Sequence, residues 1–121
     1  MRGWLICASV NGFIAVAMGA LAAHMFQGRV SSHELELIET AARYQMFHAL
    51  ALFGVAWLAT ARPGIAARGA GIAFAIGCVL FSGSLYGLAL TGNNAFALPI
   101  PIGGVTFMLG WIAVTASAIK R

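Results

Sequence analysis

Four long apolar stretches without a single Asp, Glu, Lys or Arg constrain this chain more than any other feature of its sequence. They run from about Trp4 to Phe26, Tyr44 to Ala61, Gly69 to Leu90 and Ile102 to Ile119. Each is close to the ~20 residues that an α-helix needs to cross about 30 Å of hydrocarbon. An open sheet would leave backbone groups unpaired in lipid. The sequence therefore predicts an all-α integral membrane four-helix bundle, with residues 1–121 forming one domain.

Composition indicates the same solvent. Hydrophobic residues make up 61% of the chain and charged residues only 8%, whereas a soluble domain has about 25% charged residues. A domain of this size has too little interior to hide so much apolar surface from water. The seven basic residues are dispersed instead of forming one patch, which argues against nucleic-acid binding. The predicted partner is the lipid bilayer.

Basic residues are distributed unequally between the two ends of the predicted bundle. With four spans, the two termini and the loop over residues 62–68 lie on one side. That side carries Arg2, Arg62, Arg68, Lys120 and Arg121. The opposite side carries the other two basic residues and all three acidic residues. Because loops rich in Lys and Arg stay in the cytoplasm, we expect both termini to face the cytoplasm.

The two outer loops are expected to differ. Ser31 followed by Glu34 is a capping-box pattern, and no Gly or Pro interrupts the chain from there into the second span. A helical extension is therefore predicted from about Ser32. In the other outer loop, Pro99 and Pro101 cannot donate a backbone hydrogen bond. We expect these prolines to hold the loop away from the fourth span until that helix begins.

Small residues recur along the spans at helical spacing. In lipid they let helix backbones approach closely, and packing takes the place of the hydrophobic effect. The sequence therefore predicts a tight bundle that also forms a homo-oligomer. The predicted packing positions are Gly12, Gly19, Gly77, Gly83, Gly103 and Gly104.

Polar side chains are concentrated toward the predicted outer half of the bundle. On the second helix, residues 44, 45 and 48 share one side because they are three or four positions apart. A rise of ~1.5 Å per residue places His48 about 7 Å below the outer end of that span. The inner half holds fewer polar residues, Asn11 among them, and Trp111 is expected at the interface or facing lipid. The predicted polar cluster consists of His24, Tyr44, Gln45, His48, Ser82, Ser84 and Tyr86.

Two interpretations of this cluster remain open. Polar groups of membrane helices commonly hydrogen-bond to one another and fix the packing, which indicates a structural or assembly protein. Alternatively, the cluster is a pocket open to the outside, with His24 and His48 as its titratable members. That arrangement would suit a small oligomeric channel or transporter for a small solute or ion. Two histidines without a nearby carboxylate or thiolate fall short of a metal site, so no metal is predicted.

Catalytic motifs are missing from the sequence. No serine–histidine–acid set can be assembled within the spans, because every acid lies in the first loop. There is also no phosphate loop, no HExxH and no nucleotide fingerprint. We therefore expect no catalytic residues, no cofactor and no enzymatic activity. Small four-helix multidrug antiporters depend on a membrane-embedded carboxylate, which this chain lacks, so their mechanism is not expected here.

Four pieces of the sequence resemble a known family. They are GALAAH (19–24), YQMFHALAL (44–52), LFSGSLYGLALTG (80–92) and PIGGVTFMLGW (101–111). In order and over nearly the whole chain, they are similar to the small bacterial inner-membrane family known as domain of unknown function four-two-three. The first motif of that family more commonly reads GAFGAH, so Leu21 and Ala22 depart from it. The resemblance implies a four-helix, multi-pass protein of the bacterial cytoplasmic membrane, and it implies no particular activity.

Overall fold

The computed structural model describes residues 1–119, and helices account for nearly all of them. In chain order the elements are α1 (Arg2–His24), α2 (Ser32–Ala61), α3 (Ile65–Gly77), a π-helical segment (Cys78–Gly83), α4 (Ser84–Thr91), a short 3-10 helix (Asn94–Ala97) and α5 (Pro99–Ile119). Within this described part there is no strand, and four helical stretches are long and apolar enough to cross a membrane. The predicted all-α, four-span architecture is therefore confirmed. Lys120 and Arg121, which contribute to the predicted charge asymmetry, lie outside the described residues.

The bundle has two ends that are used as reference points below. The first-loop end contains residues 25–31 and 92–98, and the termini end contains Met1, the 62–64 turn and the last turn of α5. α2 reaches well beyond the apolar stretch at the first-loop end. At ~1.5 Å per residue its 30 residues span about 45 Å, which exceeds the ~30 Å of hydrocarbon.

A reciprocal capping box sets the start of α2. The Ser31 hydroxyl accepts a hydrogen bond from the Glu34 backbone N–H at 3.1 Å, and the Glu34 carboxylate accepts one from the Ser31 backbone N–H at 2.8 Å. Two donors that would otherwise lack an intrahelical acceptor are thereby satisfied. The first helical residue is therefore Ser32, and the helix continues without interruption to Ala61.

The start of α5 differs from the prediction. Pro99 and Pro101 lie inside the first turn of α5 and do not hold the loop away from it. Proline is tolerated there because first-turn N–H groups have no intrahelical acceptor and because its fixed φ suits a helix. The prediction that these prolines delay the fourth helix is therefore wrong, and α5 begins at Pro99.

The third span, Ile65–Thr91, combines α3, the π segment and α4 in one continuous rod. A π-helical turn accommodates an extra residue and so changes the direction in which the following side chains point. Nothing in the sequence pattern predicted this segment. It lies where α5 approaches most closely, because a Cβ placed on Gly103 would come within 2.8 Å of the Leu80 carbonyl carbon.

The four spans are not equally buried. α1 packs mainly on α2, and α5 packs mainly on α3 and the π segment, while α2 also contacts the third span. The most apolar windows of α2 and of the third span are each 39% buried, compared with 17% for those of α1 and of the last span. α2 and the third span therefore form the centre, and α1 and α5 flank them.

The predicted packing glycines fall into two groups. Gly77 and Gly103 are tightly packed, since an added Cβ would overlap the Phe107 ring or the Leu80–Phe81 backbone. The others are looser. A Cβ at Gly12, Gly83 or Gly104 would make only one or two contacts, none closer than 3.8 Å, and Gly19 has nothing within 4 Å.

Three glycines that are not among the six predicted packing positions also lie against aromatic rings. A Cβ on Gly71 would come within 2.6 Å of Trp4, one on Gly87 within 2.8 Å of Phe96, and one on Gly110 within 2.5 Å of Phe74. Helical spacing identifies glycines that share a face. It does not identify which of them faces an aromatic side chain.

A polar core joining the helices

Six side chains form a set of hydrogen bonds between helices, which we call the polar core. Its members are Asn11, Gln45, His48, Ser82, Tyr86 and Trp111. α2 is the common partner, because each of these interhelical bonds has one end on α2. The other ends lie on α1, the π segment, α4 and α5.

Gln45 joins three helices through one amide. Its side chain is 5% exposed. The Nε2 group donates to Asn11 Oδ1 on α1 at 2.9 Å, and Oε1 accepts from the Tyr86 hydroxyl on α4 at 2.8 Å. Asn11 in turn donates to the Cys7 carbonyl at 2.9 Å. A single buried amide therefore fixes the positions of α1 and α4 against α2.

His48 links α2 to α5. Its Nε2 lies 3.1 Å from the indole Nε1 of Trp111, and its Nδ1 lies 2.7 Å from the Tyr44 carbonyl oxygen. Because an indole N–H can only donate, Nε2 must accept, and the ring proton is assigned to Nδ1, which donates to the carbonyl. The Phe107 ring stacks on the imidazole, with centroids 3.6 Å apart and planes at 11°. Both ring nitrogens of this 5%-exposed histidine are thus occupied.

The Ser82 hydroxyl bonds another helix instead of its own. A helical Ser or Thr usually bonds a carbonyl of its own preceding turn, as Ser9 and Thr106 do here. The Ser82 hydroxyl instead donates across to the Ala41 carbonyl of α2 at 2.8 Å, and the residue is fully buried. Ser82 belongs to the π segment.

Three predicted members do not join the polar core. His24 is exposed as the last residue of α1. The Tyr44 side chain is 39% exposed and packs against the Phe81 ring at 5.0 Å, so only its backbone carbonyl reaches His48. Ser84 is buried, but its hydroxyl forms none of these bonds. The predicted grouping of His24 with His48 is therefore wrong.

The polar core also lies deeper than predicted. Asn11 is 13 residues from the last residue of α1, and Gln45 is 13 residues from the first residue of α2, which places each about 20 Å from the first-loop end of its helix. Asn11 sits at the middle of α1. The estimate from sequence measured depth from Tyr44, the outer end of the apolar run, and did not count the predicted helical extension from Ser32. Tyr86 reaches this depth because helical side chains lean toward the N-terminus of their own helix.

Two members were missed by the sequence interpretation. Asn11 was assigned to the inner half, although a lone amide in an otherwise apolar helix is a detectable signal of an interhelical bond. Trp111 was assigned to the membrane interface or to the lipid-facing surface. It is 47% exposed, so part of the side chain lies at the surface, while its N–H faces inward to His48. No pattern in the sequence distinguishes these two edges of one indole.

Among the described residues, the polar core is not a metal centre, and it does not line the large cavity of the bundle. Within residues 1–119, no group of three or more His, Cys, Asp or Glu side chains is placed to hold a metal ion. A cavity of about 820 Å³ lies at the termini end, lined by residues 61–67 and 117–119. No member of the polar core lines it.

Comparisons with known proteins identify close relatives along the whole chain. The family model described as protein of unknown function (DUF423) matches residues 18–104. The chain is similar to the UPF0382 inner membrane protein YgdD of Escherichia coli (strain K12), with 41% identity over 119 residues, 98% of this chain and 91% of that protein. It is also similar to the UPF0382 membrane protein YwdK of Bacillus subtilis (strain 168), with 39% identity over 121 residues, 99% of this chain and 98% of that protein. No solved structure gives a significant match.

Proposed function

This chain belongs to the DUF423 family of small, multi-pass inner-membrane proteins of unknown function, and we propose that it serves the membrane as a structural or assembly protein. In this role α2 is a central element that holds the other helices in one fixed arrangement. The bundle then presents a defined surface to lipid and to other chains. We propose that it carries out neither solute transport nor an enzymatic reaction.

The observation that carries this proposal is that the buried amide and imidazole of the polar core already bond protein partners. Gln45 uses its carbonyl and its amino group on two different helices, and His48 uses both ring nitrogens. A transport site needs polar groups that can exchange a protein partner for a solute. Here the groups are engaged with each other, as expected for polar residues that stabilise packing in lipid.

An outward-facing pocket is supported less well. That hypothesis required His24 and His48 to face one space. His24 is exposed at the end of α1, whereas His48 is enclosed by the Phe107 and Trp111 rings. The large cavity lies at the other end of the bundle. These positions favour the structural role.

Self-association is part of the proposal. A Cβ added to Gly19 on α1 or to Gly54 on α2 would have nothing within 4 Å. Glycines on an otherwise apolar, unoccupied helix surface leave room for the backbone of another helix. We expect assemblies larger than one chain, which light scattering in a mild detergent would detect.

We also propose that both termini face the cytoplasm. The support is the sequence asymmetry, with five of seven basic residues at the termini end and all three acids at the first-loop end. An impermeant maleimide applied to intact cells should label Gln27→Cys and leave Ala61→Cys unlabelled. The reverse labelling pattern would establish the opposite orientation.

Replacing His48 with Phe tests the structural role directly. Phe keeps an aromatic ring against Phe107 but removes the bond to Trp111, so we expect the free energy of unfolding in detergent to fall by about 0.6–1.7 kcal/mol. The matched control is His24→Phe, the same substitution at an exposed position outside the polar core, which should leave stability unchanged. Reconstituted vesicles containing the wild-type protein should show no flux of protons or K⁺ above empty vesicles. Flux that His48→Phe abolishes while stability stays intact would refute the structural role and establish transport.

A further inference from the structure

The cavity at the termini end has features that point to a ligand. Its volume is about 820 Å³, and it lies between the turn that joins α2 to α3 and the last turn of α5. No part of the proposed structural role uses it. Three independent features of its wall favour an anion.

The first feature is the start of α3. Gly64 is the N-cap and has no side chain to accept hydrogen bonds from the first turn, which also contains no acidic residue. The first bond along the helix runs from the Arg68 N–H to the Gly64 carbonyl, so the N–H groups of residues 65–67 have no intrahelical acceptor. These residues line the cavity. N–H groups without an intrahelical acceptor and the positive end of the helix dipole together favour a negative ligand.

The conformation of Gly64 keeps this helix start open. Its φ of 152° and ψ of −174° belong to a region that essentially only glycine adopts. A capping Ser or Asp would therefore be strained at this position. Glycine is therefore the residue that fits position 64. The first-turn amides of α3 are left for an acceptor outside the helix.

The second feature is a buried hydroxyl. Ser117 is 5% exposed and lines the cavity, and its hydroxyl has no hydrogen-bond partner among the described residues. Thr115, on the same helix, bonds back to the Trp111 carbonyl at 3.1 Å. A buried polar atom without a partner is rare and calls for an explanation. A ligand in the cavity would supply the missing acceptor.

The third feature is charge. Arg62 Nε donates to the Ser117 carbonyl at 2.8 Å, which holds a guanidinium beside the cavity. Of the described charged side chains, Arg2, Arg62 and Arg68 lie at this end, while the three glutamates lie in the first turns of α2 at the other end. The described charged side chains at this end are therefore all positive, which favours anions.

We propose that this cavity binds the phosphate group of an anionic phospholipid. The Ser117 hydroxyl and the first-turn amides of α3 donate hydrogen bonds to the phosphate oxygens. The side chains of Ile65 and Ile119 border the cavity and are 81% and 75% exposed. These apolar neighbours suit the acyl chains of a lipid and would serve no purpose for a free phosphate ion.

Binding can be measured on the full chain in a neutral detergent. Native mass spectrometry should show phosphatidylglycerol bound at least about fivefold more tightly than phosphatidylcholine, and phosphatidylglycerol should raise the unfolding temperature. Inorganic phosphate at the same concentration should not reproduce that rise. Equal binding of the two lipids would overturn the proposal, and so would an equal rise with inorganic phosphate, which would indicate a site for the free ion.

Two variants test the assigned donors. Ser117→Ala should reduce phosphatidylglycerol affinity at least about threefold with unchanged helicity, while the matched control Thr115→Ala should bind like the wild type. Ala66→Asp places a carboxylate at the start of α3. It should raise thermal stability without lipid, because it complements the helix dipole, and abolish the preference for phosphatidylglycerol. Wild-type affinity for phosphatidylglycerol in Ser117→Ala, or wild-type preference for it in Ala66→Asp, would overturn the assignment.

Discussion

On its α2 side the third span is joined by side-chain hydrogen bonds, whereas on its α5 side it is joined by contacts between glycines and aromatic rings. Toward α2, Tyr86 bonds Gln45 and Ser82 bonds the Ala41 carbonyl. Toward α5, no side-chain hydrogen bond joins the two elements in the described part of the chain. There, aromatic rings lie directly on Gly77 and Gly110.

This difference shows two ways of holding helices together where lipid removes the hydrophobic driving force between them. A hydrogen bond depends on direction and on the presence of both partners. A glycine contact depends on the absence of a side chain. Substitutions that change polarity should therefore lower the free energy of unfolding mainly at the α2 side. Substitutions that change volume should lower it mainly at the α5 side.

The largest effect is expected for Gly103→Ala. Its Cβ would meet the backbone of Leu80 and Phe81, which cannot move aside as a flexible side chain can. Overpacking costs about 1–3 kcal/mol and occasionally more, and we expect at least about 3 kcal/mol here, measured as the free energy of unfolding in detergent. The adjacent Gly104→Ala is the matched control, because its Cβ would lie 3.8 Å from Phe81, an ordinary contact. Equal losses in the two variants would contradict the assigned role of close packing on the α5 side.

An intermediate effect is expected for Gln45→Met. Met keeps the length and much of the volume of Gln but leaves Asn11 and Tyr86 without their shared partner. Losing two interhelical bonds should cost about 1–3 kcal/mol in the same unfolding measurement. Thr106→Val is the control, because that hydroxyl bonds only a carbonyl of its own helix. A Gln45→Met protein as stable as the wild type would show that packing alone holds the α2 side.

The smallest effect is expected for Ser82→Ala. It removes one neutral hydrogen bond, and the Ala41 carbonyl keeps its place in the α2 ladder, so the loss should be about 0.5–1 kcal/mol. Ser9→Ala, which removes a hydroxyl that bonds within α1, should change stability by less than that. A loss in Ser82→Ala as large as in Gly103→Ala would indicate that the hydroxyl determines the π-helical geometry itself.

Much of the fold follows from local signals. Uncharged apolar runs identified the four spans, and Ser31 with Glu34 marked the start of α2, because hydropathy and capping depend on nearby residues. The prolines were misinterpreted because the same residue fits both a loop and the first turn of a helix. Deciding whether such a proline lies in a loop or in the first turn requires knowing where the following helix begins.

The polar core was predicted in part. Gln45, His48, Ser82 and Tyr86 belong to it, but spacing along one helix cannot show which residue of another helix it meets. His24 was grouped with His48 because both were counted from assumed membrane boundaries. The bond from Trp111 to His48 depends on the rotation of α5 about its own axis, which no single segment of sequence specifies.

The sequence by itself determined the solvent and the kind of element. In a chain with so few charges, each backbone N–H and C=O must be paired within its own span, and helices do this without reference to the rest of the molecule. Tertiary structure alone decided the pairing of Gln45 with Asn11 and Tyr86, the close approach at Gly103 and the opening beside Ser117. These depend on the relative rotation and depth of separate helices and on the π segment, and such quantities arise only when the helices pack together.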